Sequence, residues 1–154
     1  MAISRTVTDY LQAHRVRYAV FPHPRTHSSR ETAESVVISA QQLAKAVVLS
    51  DAHGYLMAVV PSDRHVSMPR LSQLLGRRLE LAAEGRIAPV FKDCEVGAIP
   101  PMGPAYGMET ILDDSLVGEP VVYFEAGDHE EVIQVDGETF LSLLKSARHG
   151  QFTH

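Results

Sequence analysis

Tryptophan is absent from this chain and cysteine occurs once, at Cys94. One thiol closes no disulfide within the chain, so burial and hydrogen bonding must hold the fold, and such cysteine usage fits a reducing compartment. Long apolar runs are missing too. The longest, "YLMAVVP" and "PVVYF", fall far short of the roughly 20 residues a bilayer crossing needs, and "MAISRTVTDY" lacks the apolar block of a signal peptide. A cytoplasmic protein without membrane contact is expected. There is no HExxH or CxxC metal motif, no GxSxG elbow, no P-loop and no dinucleotide fingerprint, so zinc-hydrolase, serine-hydrolase and nucleotide-dependent chemistries lose their usual signatures.

What is present is the composition of one globular domain: 154 residues, 45% apolar and 21% charged, with no repeat or linker. The net charge of -5 argues against a nucleic-acid partner at face value. Its distribution changes that argument. Residues 1–78 carry ten Lys or Arg against five Asp or Glu, while residues 79–154 carry four against fourteen, giving halves of +5 and -10. A basic first half can meet phosphates locally, because screening limits each charge to roughly 10 Å.

Val7, Tyr10, Leu11 and His14 fall at helical steps behind Ser4 as cap, and "VRYAVF" reads as a strand. Ser28 with Glu31 forms a capping box for a helix through Val37, and Ser39 with Gln42 repeats it for a second short helix to about Ala44. "KAVVLS" and "YLMAVVP", joined by "DAHG", predict a hairpin apolar on both faces, hence a sheet covered from two sides. Ser67 caps a helix buried along Leu71, Leu74 and Leu75 and stopped by Gly76. A short strand near "RLELA" and a short helix in "EGRIAPVFKD" follow. "METILDD", "PVVYFEA" and "EVIQVD" are further strands, and Asp136 caps a last helix carrying Phe140, Leu141 and Leu144. The predicted core spans about residues 4–147, with "HGQFTH" frayed. This order predicts a single-domain mixed α/β (α+β) fold, a mixed sheet wrapped by helices.

Lys45 stands out chemically. It opens an apolar strand with Val47 and Leu49 on its face, where an ammonium must find an anion, lose its proton or snorkel to water. His23 and His27 are four apart, but Pro24 lies between them in a predicted loop, so the helical geometry that makes such spacing ligating is missing and no metal is expected. Nothing near Cys94 marks it as an activated thiolate. The stretch "VGAIPPMG" contains no acid, base or nucleophile; it offers amide donors at Gly97, Ala98 and Ile99, followed by Pro100 and Pro101, which fix φ and supply no N–H. Such a ledge either is a stiff turn or binds an amino group and an oxyanion through its main chain.

"QQLAKAVVL", "GYLMAVVPSD", "DCEVGAIPPMG" and "VVYFEAGDHEEVIQVD", in that order, resemble the YbaK/prolyl-tRNA synthetase-associated domain family, the trans-editing aminoacyl-tRNA deacylases, from about "THSSRETAE" to the closing helix. The resemblance implies a strongly curved, barrel-like mixed sheet flanked by helices. It also implies cofactor-free hydrolysis of the ester joining a wrongly attached small amino acid to tRNA. Its partners would be the acceptor end of an aminoacyl-tRNA and an aminoacyl-tRNA synthetase. On that pattern Lys45 sits near the terminal adenosine and its phosphate, the loop from Gly97 to Pro101 holds the aminoacyl group, and His27 and His129 lie by the pocket. Arg77 and Arg78 are candidate phosphate contacts beyond it. Ile99 and the double proline depart from better-studied members, leaving the accepted amino acid open. A non-catalytic nucleotide or aminoacyl-ligand binding module and a small-molecule esterase or amidase remain as alternatives.

Overall fold

The structure, a computed structural model, describes residues 3–23, 38–95 and 97–154. The expected helix between Ser28 and Val37, and His27, lie outside the described residues. Helix α1 (Arg5–Ala13) starts where the Ser4 hydroxyl accepts from the Val7 amide, and Val7 and Leu11, four apart, bury its inner face. Strand β1 (Ala19–Pro22) precedes the hairpin of β2 (Leu43–Asp51) and β3 (Gly54–Pro61). Asp51 Oδ1 accepts from the amides of His53 and Gly54 at 2.8 and 3.1 Å, and Gly54 takes the φ of +143° that closes the turn. Then come α2 (Met68–Leu75), capped by Ser67 and ended by Gly76, β4 (Glu80–Leu81) and α3 (Glu84–Ile87). Strands β5 (Glu109–Asp113), β6 (Val121–Glu125) and β7 (Glu131–Asp136), helix α4 (Gly137–Leu143) and β8 (Arg148–Gly150) complete the chain. Among the described residues no helix is long and apolar enough to cross a membrane.

These strands form one mixed sheet in the order β1-β7-β6-β2-β3-β5-β8, with β4 also on β2. The mixed sheet flanked by helices is the one expected; among the described residues it is not closed, because β1 and β8 end the order without pairing to each other. Strand β3 is buried on both faces: Met57 and Val59 join the core under α1 and α4, while Leu56, Ala58 and Val60 join a second core with Leu71 and Phe152. The key feature is on β2. Its start pairs with β6 through Leu43 and Ala44, its end pairs with β4 through Leu49 and Ser50, and the edge between them is left open.

Two expectations are corrected. The short helix from Ser39 to Ala44 is a turn at residues 40–42 followed directly by β2. Burying Leu43 and Ala44 beside Tyr123 and Phe124 outweighs a capping signature that would support barely one helical turn. The tail is not frayed: β8 pairs with β5, Thr153 bridges Val66, and Phe152 is fully buried. Asp113 holds it, Oδ1 accepting from the Phe152 amide and Oδ2 from the Thr153 hydroxyl, both at 3.1 Å. Phe152→Ala should therefore lower the unfolding free energy by roughly 3–5 kcal/mol in urea titration, where a loose tail would give no change.

Candidate active site

A cavity of about 360 Å³ fills the gap along β2. Ala46 and Val48 supply one apolar wall, and Ile87 and Phe91 the other. Its polar groups are Lys45 of β2, Glu84 at the start of α3, Glu125 at the end of β6, and Cys94, Glu95 and the backbone at Gly97 in the loop after α3. Lys45 is the third residue of its strand rather than the first. Its ammonium is half-buried, burial pulls its pKa below the ordinary lysine value, and the charge of Asp63 pulls it partly back. Lys45 makes no direct ion pair with a carboxylate among the described residues, so a charge that has lost part of its hydration is offset only in part, by Asp63 at longer range.

The loop opposite is fixed by its own backbone. The Gly127 carbonyl accepts from the Glu95 amide at 2.8 Å, and the Gly127 amide donates to the Ala98 carbonyl at 2.9 Å. Gly97 takes a φ of +85°, as its type allows. Gly97 and Ile99 line the cavity. Ala98, Pro100 and Pro101 do not; they are buried behind it. Ala98 as an oxyanion donor is corrected in this structure, because its N–H is spent on the Glu95 carbonyl at 3.1 Å. Pro100 and Pro101 stiffen the loop from behind instead of touching a ligand. Of the loop's three expected donors at Gly97, Ala98 and Ile99, the amides of Gly97 and Ile99 have no acceptor among the described residues, and both residues line the cavity.

Behind the loop, Ser4 Oγ donates to Asp93 Oδ2 at 2.6 Å and meets the Tyr106 hydroxyl at 2.8 Å, while the Thr6 amide also donates to Asp93 at 3.0 Å. Burial opposes the Asp93 charge, yet the bonds from Ser4 and Thr6 hold its carboxyl well below the usual range. Cys94 belongs to the same cluster, and burial pushes its thiol up to about 12, which disfavours the thiolate form.

Glu125 was not singled out from the sequence, although a carboxylate inside the apolar run "VVYFEA" is a signal of its own. It is 4% exposed, and its Oε1 lies 3.1 Å from His23 Nε2. His129, expected at the substrate, is buried behind Glu125, with Nδ1 3.8 Å from Oε2, and does not line the cavity. Arg77 is engaged elsewhere: it bridges Asp51 and Glu109, each at 2.7 Å. Arg78 is exposed.

A half-buried lysine, a buried carboxylate and two loop residues with unspent amides thus meet at one small cavity. Residues 23–143 match the model of the aminoacyl-tRNA editing domain, and the chain belongs to that family. Solved structures share its fold. A candidate trans-editing enzyme for prolyl-tRNA synthetase superposes with a TM-score of 0.82 at 21% identity, over 98% of this chain and 96% of that one. A hypothetical protein gives 0.84 at 18% identity, over 97% and 100%. A candidate signal-transduction protein from Marinobacter aquaeolei VT8 gives 0.76 at 21% identity, over 96% of this chain but 30% of the other. No curated protein matches the chain.

Because burial disfavours the Lys45 charge, Lys45→Met should raise thermal stability near neutral pH. The depressed folded-state value fixes the sign. The wild-type deficit is constant below that value and shrinks as pH rises from it toward the unfolded value near 10.5, since the unfolded state then binds more protons. Melting curves of both proteins across that range check it.

Proposed function

We propose that the protein is a deacylase that hydrolyses the ester of a small, wrongly attached amino acid on tRNA. The observation that carries this reading is that Lys45 and the unspent amides of Gly97 and Ile99 share one cavity in a member of the editing-domain family. In this reading Lys45 binds the phosphate of the terminal adenosine and the loop amides receive the carbonyl oxygen as it gains negative charge. Water then attacks the ester carbon, assisted by the neighbouring ribose hydroxyl of the substrate, and the ester oxygen leaves on the ribose. Each oxyanion donor of this kind is worth on the order of 10²–10³ in rate, enough for an ester that is already activated. Glu125 takes the α-ammonium of the amino acid, opposite in charge to Lys45, and His23 holds the carboxylate in place. The short walls at Ile87, Phe91 and Ile99 admit small side chains and exclude larger, correct ones, as in a second sieve.

A panel of charged tRNAs, each incubated with wild type and with Lys45→Ala, tests the reading. One or a few small aminoacyl esters should be cleaved, and the variant should lose roughly 10²-fold in kcat/KM; binding without turnover anywhere in the panel would overturn it. Glu125→Gln addresses the ammonium. It should raise KM roughly tenfold to a hundredfold with a smaller change in kcat, the range for one charge-assisted hydrogen bond. N-acetylation of the amino acid should penalise the wild type far more than this variant. An equal penalty in both proteins removes Glu125 from substrate recognition.

A further inference from the structure

We propose that Arg64 and Arg70 form a docking track for the phosphates of the tRNA acceptor stem, running from the cavity mouth to the C-terminal strap. The proposal rests on the tRNA substrate proposed above and adds the surface that would hold the rest of that molecule. Arg64 donates through Nε to Thr153 Oγ1 at 2.7 Å and through a terminal nitrogen to the Thr153 carbonyl at 3.5 Å. Arg70 donates to the same carbonyl oxygen at 3.1 Å. Two guanidinium groups are thus held against one neutral acceptor, both on exposed residues.

Neither forms an ion pair with a carboxylate among the described residues, in contrast to Arg77 with its two partners and Arg5 with Asp9. The carboxylate of the buried Asp113 stands one hydrogen bond away, through the Thr153 hydroxyl, and also accepts from the Phe152 amide and the Ser115 hydroxyl, so a single negative charge faces two guanidinium groups without a direct ion pair. Side by side, two such charges repel. The face keeps an excess of positive charge on two exposed arginines, which the phosphates of a polyanion would complement. Two exposed imidazoles, His65 and His154, adjoin the patch with ring centres 6.0 Å apart and their backbones paired.

The chain path ties this pair to the cavity. Pro61 at the end of β3 lies opposite Ala44, one residue before Lys45. The connection to α2 leaves from there, Asp63 lies close enough for its charge to act on Lys45, and Arg64 follows directly. At about 3.6 Å per residue, the Arg64 backbone is within roughly 11 Å of Pro61. Asp63 is the one carboxylate from Pro61 to Leu75. A strand whose terminal phosphate meets Lys45 would therefore run over Arg64 and Arg70. This replaces Arg77 as the phosphate contact outside the pocket.

The test uses the full chain and an uncharged RNA minihelix ending in single-stranded CCA, with affinity read by fluorescence anisotropy over a series of salt concentrations. Arg64→Gln and Arg70→Gln should each weaken binding and reduce the slope of log K against log salt by about 0.9, and the double variant by about twice that. Arg64→Lys and Arg70→Lys should keep the slope. Thr153→Val separates charge from strap packing: it should lower the melting temperature and leave the slope unchanged. Unchanged slopes in the folded glutamine variants, or an equal loss of slope in Thr153→Val, would overturn the proposal. Because the RNA carries no amino acid, arginine-dependent binding by a protein that hydrolyses nothing would support the track while refuting the deacylase reading. Deacylation with flat salt slopes would do the reverse.

Discussion

Two hydrogen bonds at Gly127 set the geometry on which the site depends. By accepting from Glu95 and donating to Ala98, this one residue of the β6–β7 turn locks the loop after α3 against the sheet. Only glycine serves there: φ is +110°, and a Cβ would stand 3.0 Å from Ser4 and 3.1 Å from the Asp93 carbonyl. Those contacts bring the start of α1, with its Ser4, Asp93 and Tyr106 hydrogen bonds, onto the back of the loop. The front of the loop, at Gly97 and Ile99, is then held on the cavity that Lys45 also lines.

The second requirement is the change of partners along β2. A strand paired along its whole edge would leave no room; β2 takes β6 at one end and β4 at the other, and the cavity occupies the interval. Lys45 lies in that interval, which accounts for a half-buried ammonium in an otherwise apolar strand. Sheet topology, loop docking and lysine desolvation thus share one cause, the open stretch of strand edge.

Much of this was legible in the residues. The hairpin, the two-sided burial of β3, the caps at Ser4 and Ser67 and the positive φ at Gly97 follow from local pattern, because period, cap chemistry and glycine act over a few positions. Lys45 was legible as a cation in an unfavourable place, and the loop as a main-chain device. What local pattern did not carry was long-range pairing. Ser39 and Gln42 look like a helix start until Leu43 finds β6, and "HGQFTH" looks loose until Asp113 and the second core claim Phe152. The same holds in part at the site: Ala98 spends its amide on Glu95 only three positions away, but the docking of both residues on Gly127, about thirty positions on, and the meeting of Glu125 with His23 are long-range events that no local pattern carries.

Main-chain donors at Gly97 and Ile99 carry an evolutionary consequence. An amide survives replacement of the side chain beside it, so Ile99 can be exchanged for a larger or smaller residue, reshaping the cavity while the donor stays where it is. On the proposed deacylase reading, substrate choice and bond-breaking chemistry are written in different atoms of the same residue. On that reading a lineage can change the side chain its cavity accepts without moving the donors, whereas one relying on a catalytic side chain has to guard that position throughout.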